Sequence, residues 1–139
     1  THEDVVKFQL NPTGPPTVTI RQSLKHPERD SNQPVWRQFA KEIGARVIED
    51  AWIKPMGLVE RFDIYRHASV NFFANNGPGA AAIFSNVLSV MSVPPCVHSM
   101  HTCFVGQQYP FTTRRQRLFW DEPTLEALHR EYQLFTANE

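Results

Sequence analysis

The sequence predicts an α/β fold, a Rossmann-like three-layer sandwich with a mainly parallel sheet of four or five strands. Short β-branched segments alternate with amphipathic segments along the chain, the order typical of a parallel sheet covered by helices on both faces. No Asp, Glu, Lys or Arg occurs between Asn71 and Thr113, as expected of strands buried on two sides. The 139 residues, 41% of them hydrophobic, are enough for one core. We therefore predict one domain over 17–139, preceded by a linker or chain entry over 1–16.

The first half of the chain predicts a strand, a helix and a second strand. Thr17–Arg21 is short and rich in β-branched residues, which favours a strand. Pro34 suits the first turn of a helix, and Gly44 suits its end. One apolar helix face is predicted between them, formed by Trp36, Phe39, Ala40 and Ile43. Residues 45–50 then read as the second strand.

The second half predicts two more strands and three helices. A short helix is expected over 58–67, with Val59, Phe62 and Tyr65 at threefold spacing. The strands are predicted at 69–74 and 87–92, with a tight turn and a small-residue helix (80–85) between them. Residues 96–118 are predicted to be irregular. A final helix follows, with Asp121 as its cap and Pro123 in its first turn.

The tight turn between the third strand and its helix is the first candidate site. It consists of Asn75, Asn76, Gly77, Pro78 and Gly79, and Ala80 follows. In open parallel sheets ligands bind beyond the carboxyl ends of the strands. A glycine-bearing turn that enters a helix exposes backbone N–H groups, and the helix dipole favours an anion there. The alternative is an ordinary strand-to-helix turn.

The run from Tyr65 to Ala82, with the apolar strand 87–91 after it, resembles a segment of GT-B glycosyltransferases. It is most similar to the C-terminal, donor-binding half of the glycosyltransferase family 9, or heptosyltransferase-like, group. The resemblance implies that Asn75 to Ala80 face the diphosphate of a sugar-nucleotide donor. It also implies that the loop from Arg21 to Asn32 faces the same cleft, where Arg21, Lys25 and Arg29 neutralise phosphate.

This resemblance implies a nucleotide-sugar-binding half of a transferase that is not active alone. GT-B enzymes react in a cleft between two Rossmann-like halves, and the acceptor half usually supplies the general base. A companion domain or a second copy of the chain is then the expected partner, and no cofactor is implied. The alternative is a stand-alone, non-catalytic Rossmann-like module that binds a nucleotide or a protein partner.

A cluster of cysteine and histidine residues is the second candidate site. Cys96, His98, His101 and Cys103 offer four zinc-ligand side chains within eight residues. Structural zinc sites usually take spaced pairs from two segments, so we predict no metal here. A Cys96–His98 nucleophile–base pair is a further alternative that lacks an orienting carboxylate nearby in sequence.

The third candidate site is the arginine group that ends the charge-free stretch. Arg114 and Arg115, with Arg117, offer bidentate hydrogen bonds to a phosphate. Flanking aromatic residues leave weak nucleic-acid binding as an alternative. The remaining alternative is a solvated loop in which the arginines pair with Asp121, Glu122 or Glu126.

Composition excludes several classes of function. Fourteen basic and fourteen acidic residues give zero net charge, so nucleic acid and anionic membranes are not predicted partners. No uninterrupted apolar run is long enough to span a membrane. Two cysteines do not make a disulfide scaffold, and the polar first residues of the sequence predict no signal peptide. A cytoplasmic location is the resulting expectation.

Overall fold

The computed structural model describes seven segments of the chain, namely residues 9–21, 33–50, 58–74, 85–92, 99–100, 103–104 and 116–137. Three α-helices lie in them, namely α1 (Gln33–Ile43), α2 (Leu58–His67) and α3 (Leu125–Ala137). The strands are β1 (Thr17–Arg21), β2 (Arg46–Asp50), β3 (Asn71–Ala74), β4 (Ser89–Ser92), β5 (Ser99–Met100), β6 (Cys103–Phe104) and β7 (Gln116–Phe119). The predicted small-residue helix over 80–85 lies almost entirely outside these segments.

Five strands form one parallel sheet in the order β2-β1-β3-β4-β7. The predicted α/β fold with a parallel sheet is thereby confirmed. The chain leaves β1 toward β2 on one side and leaves β3 toward β4 on the other, so the direction of winding reverses between β1 and β3. The short strands β5 and β6 form a separate antiparallel pair.

Helices cover both faces of the sheet, as in a three-layer sandwich. Helices α1 and α3 pack on one face, where Trp36, Phe39 and Leu128 are buried with Val18 and Phe72 of the strands. Helix α2 covers the other face, where Tyr65 packs edge-to-face on Phe73 with ring centroids 5.0 Å apart. Strands β3 and β4 are therefore enclosed on both sides, which explains why they carry no charge.

A row of buried polar residues crosses the sheet at its amino edge. Thr17, Asn71, Ser89 and Gln116 begin β1, β3, β4 and β7 and stand in register with one another. Asn71 accepts a hydrogen bond from the Thr17 hydroxyl (2.6 Å). Its amide nitrogen donates to the carbonyl oxygens of Tyr65 (3.0 Å) and Leu88 (2.9 Å). One side chain thus ties together β1, α2 and the residue that precedes β4.

Helix α1 ends where the sequence predicts, at a glycine in the left-handed conformation. Gly44 has φ of 69°. The Ala45 N–H donates to the Ala40 carbonyl at 2.8 Å, which is the six-to-one hydrogen bond of a Schellman motif. Trp36, Phe39 and Ala40 of the predicted apolar face are buried, and Ile43 packs against the core. The threefold pattern of α2 is correct for Phe62 and Tyr65 but wrong for Val59, which is 86% exposed.

Strands β3 and β4 begin two residues later than predicted. Before β3, the Ser69 N–H donates to the Gly14 carbonyl instead of to a strand. Before β4, the Val87 N–H donates to the Ser85 hydroxyl at 3.3 Å. Both backbone groups are thus satisfied outside the sheet, which delays the start of each strand.

Two predictions for the C-terminal part are wrong. The stretch 96–118 is not irregular throughout, because it contains β5, β6 and most of β7. The cap of α3 is Thr124, whose hydroxyl accepts the Ala127 N–H at 3.1 Å, and not Asp121. Asp121 instead accepts a hydrogen bond from Arg130 at 3.0 Å.

Replacing Gly44 with alanine is expected to lower the free energy of unfolding by about 1–2 kcal/mol. A Cβ atom at this position meets nothing within 4 Å, so the cost comes from the backbone conformation and not from a clash. Gly44→Asn serves as the control, because asparagine tolerates the left-handed conformation better. Urea unfolding of the three proteins measures the difference, and equal stability of Gly44→Ala and wild type would contradict it.

Replacing Asn71 with aspartate is expected to destabilise the fold by about 3 kcal/mol or more. The substitution keeps the shape, removes both N–H donors and sets a carboxylate against two carbonyl oxygens in a fully buried position. Thr17→Val is the milder comparison, since it removes one bond and costs about 1 kcal/mol. Urea denaturation checks both values, and an Asn71→Asp protein as stable as wild type would refute the role of this side chain.

An ion pair between α1 and α3 is expected to make stability depend on pH. Hydrogen bonds from Gln38 and from His129, at 2.6 and 2.8 Å, hold the pKa of Glu42 below its usual value. A lowered carboxyl pKa contributes stability above the pKa of the unfolded chain, and that stability is lost as the pH falls through the folded-state pKa. Wild type should therefore lose more stability than Glu42→Gln between about pH 5 and pH 3.

Urea unfolding at a series of pH values measures this difference between the two proteins. Glu126→Gln is the matched control, because Glu126 is an exposed carboxylate on α3. Parallel stability–pH curves for wild type and Glu42→Gln would show that the pair does not contribute.

Candidate functional site

The reversal of strand order between β1 and β3 marks the carboxyl edge of the sheet as the expected position of a ligand-binding crevice. Strands β1 and β3 are neighbours, and the chain leaves them in opposite directions. Ligands of doubly wound sheets bind outside the carboxyl ends of the strands at this reversal. Arg21 ends β1 and Ala74 ends β3, so the segments that begin at residues 22 and 75, which lie outside the described part of the chain, both leave the sheet at this edge.

Most of the site residues predicted from the sequence lie outside the described segments. This holds for Lys25, Arg29, Asn75, Asn76, Gly77, Pro78, Gly79, Ala80, Arg114 and Arg115. The strand order brings together the points at which the segments 22–32 and 75–80 begin. The chain enters β7 at Gln116, directly after Arg115, at the amino edge of the sheet and therefore at the edge opposite to the crevice.

Gln116 and Arg117, the first two residues of β7, both have structural contacts. Gln116 donates a hydrogen bond from its amide to the Ser85 carbonyl. Arg117 pairs at 2.6 Å with Glu131, whose side chain is 3% exposed. For Arg117 the alternative of pairing with Asp121, Glu122 or Glu126 is therefore wrong, because its partner Glu131 lies in the middle of α3 and not in its first turn.

Arg61, near the amino terminus of α2, is a buried arginine that no sequence motif indicated. Arg61 is 4% exposed and donates from Nη1 to the Tyr65 hydroxyl at 3.2 Å. The Tyr65 hydroxyl lies 3.5 Å from that of Thr19 in β1, and the Tyr65 ring packs on Phe73 in β3. The chain of contacts thus spans the β1–β3 boundary. The i, i+4 spacing of Arg61 and Tyr65 on one helix is the sequence signal that would have found it.

The helices add positive potential at the same edge. Each described helix starts after the carboxyl end of a strand, so the amino termini of α1 and α2 face the edge where the crevice lies. A helix amino terminus carries about half a positive charge and exposes N–H groups. Together with the Arg61 side chain, these termini make the carboxyl edge suited to an anionic group.

Of the cysteine–histidine cluster, only Cys103 lies within the described segments. Cys103 begins β6 and pairs in register with Met100, while Cys96, His98 and His101 lie outside the described segments. Within the described part of the chain, no three His, Cys, Asp or Glu side chains are grouped in a way that would hold a metal ion.

Comparisons with protein-family models, curated proteins and solved structures find no match for this chain. The GT-B resemblance therefore stays a prediction that depends on the residues quoted for it. Among the described helices, none combines the length and the apolar character needed to cross a membrane.

Proposed function

We propose that the chain binds the diphosphate of a nucleoside-diphosphate sugar, as the donor-binding half of a GT-B-like glycosyltransferase. The reversal of strand order between β1 and β3 is the observation that carries the proposal. It sets Ala74, the last residue before the predicted Asn75–Gly79 turn, in the strand beside β1. The GT-B resemblance assigns this turn and the segment after β1 to the donor cleft.

Charge at the crevice supports an anionic ligand. The central strands β3 and β4 carry no ionisable side chain, so a bound diphosphate meets no fixed negative charge on them. Positive charge is supplied by Arg61 beside the β1–β3 boundary and by the amino terminus of α2. In the proposed complex Arg21 at the end of β1 completes the neutralisation together with Lys25 and Arg29 of the segment that follows.

Binding, and not sugar transfer, is the activity proposed for the chain alone. The main sheet of the described residues is a single doubly wound sheet. Transfer in GT-B enzymes takes place between two such units. In this proposal a companion domain or a second copy brings the acceptor and the general base to the crevice.

Thermal unfolding with a panel of nucleoside diphosphates and their sugar conjugates tests the proposal. At ten times its dissociation constant, a selective ligand should stabilise the fold by about 1.4 kcal/mol. The melting temperature should then rise by about 3–5 °C. Gly77→Val should abolish the rise, because a branched side chain blocks close approach of the phosphate to the turn.

Gly44→Val is the matched control for this experiment. It also replaces glycine with valine and lowers stability, but Gly44 lies at the opposite end of α1 from the crevice, so its ligand-induced rise should persist. No rise with any nucleotide at millimolar concentration would overturn the proposal and favour the stand-alone partner-binding module. An undiminished rise in Gly77→Val would place the ligand elsewhere.

A further inference from the structure

A surface pocket lies at the amino edge of the sheet, opposite to the crevice. It has a volume of about 350 Å³ and opens between the starts of β1 and β2 and the second half of α2. Its lining consists of Gly14, Pro15, Thr17, Arg46, Asp63, Ile64, His67 and Ala68. The volume is within the range of small-molecule sites in proteins.

The walls of this pocket are held in place by backbone hydrogen bonds. The Gly14 N–H donates to the His67 carbonyl at 2.8 Å, and the Ser69 N–H donates to the Gly14 carbonyl at 3.2 Å. The Arg46 N–H donates to the Pro16 carbonyl at 2.8 Å. These bonds connect the segment before β1 to α2 on one side and to β2 on the other, so the pocket is formed before any ligand arrives.

The charges at the pocket favour an anion. Asp63 receives hydrogen bonds from Nε and Nη2 of Arg66, at 3.1 and 2.7 Å, which compensate its charge. Arg46 is exposed, and within the described part of the chain no carboxylate lies within ion-pair distance of its guanidinium. The charge that remains uncompensated at the mouth is therefore positive.

The inner wall is mainly apolar. Pro15, Ile64 and Ala68 contribute hydrocarbon surface, and Ala68 is buried. The Thr17 hydroxyl uses its hydrogen in the bond to Asn71, which leaves its oxygen as an acceptor. A ligand that fits these walls carries an anionic group at one end and a compact apolar body at the other.

We propose that this pocket binds a small organic carboxylate with an apolar body. The carboxylate takes a bidentate hydrogen bond from Arg46, and the body packs on Pro15, Ile64 and Ala68. The proposal does not depend on the donor-binding function, because the pocket and the crevice lie at opposite edges of the sheet.

Titration of the ¹⁵N-labelled chain with 3-phenylpropanoate, followed by amide chemical shifts, tests this site. The expected result is saturable binding in about the millimolar range, the affinity typical of a ligand of this size. The shifts should centre on Gly14, Ile64 and Ala68. The neutral analogue 3-phenylpropanol should bind about tenfold more weakly, because it lacks the charge that Arg46 recognises.

Arg46→Gln should reduce the affinity for the carboxylate about tenfold and leave the alcohol unchanged. Arg37→Gln is the matched control, because it removes an exposed arginine on α1, outside the pocket, and it should bind the carboxylate like wild type. The amide spectra also report whether each variant is folded. Absence of saturable binding by wild type, or equal affinities for the two analogues, would overturn the proposal.

Discussion

The hydrogen bonds of Asn71 are the interaction on which the rest of the structure depends. A parallel sheet needs its register fixed, since a slip of one residue would turn every side chain to the opposite face. Asn71 fixes it by accepting from Thr17 in β1 while donating to carbonyl oxygens of α2 and of the residue before β4. The same row of buried polar residues includes Gln116 of β7, bonded to the Ser85 carbonyl. The register of β1 against β3 is thus set at the amino edge.

Fixing β1 beside β3 gives the two edges of the sheet different properties. At the amino edge Asn71 bonds to Thr17 and to two carbonyl oxygens, and the segment before β1 bonds to the end of α2 and to β2. At the carboxyl edge the chain departs from β1 and β3 in opposite directions, which is the arrangement at which doubly wound sheets bind their ligands. Helices that run back from this edge leave their amino termini on it. The hydrogen bonds at the amino edge thus hold β1 beside β3, and this strand order gives the carboxyl edge a geometry suited to an anion.

Local sequence patterns correctly predicted the elements that are determined by their own residues. They failed for elements that depend on a partner distant in the sequence. The bounds of β1 and α2 and the glycine end of α1 follow from β-branching, periodicity and one residue of special conformation. Strand β7 was missed because Gln116 and Arg117 are polar. Gln116 is buried and bonds to the Ser85 carbonyl, while Arg117 is exposed and pairs with Glu131 of α3. No local pattern reveals either partner. The turn predicted at Asn75–Gly79 lies outside the described residues. That it follows a strand beside β1 depends on strand order, which local sequence does not contain.

The absence of charge from β3 and β4 follows from the strand order. Strands β3 and β4 lie in the centre of the sheet under helices on both faces, where an unpaired charge would cost several kcal/mol. Any counter-charge for an anion at the crevice must therefore come from elements beside these strands. Arg61 meets that condition, because its side chain is buried in α2 and reaches the β1–β3 boundary through Tyr65 and Thr19. The same strand order therefore leaves β3 and β4 without charge and places Arg61 beside the boundary between β1 and β3.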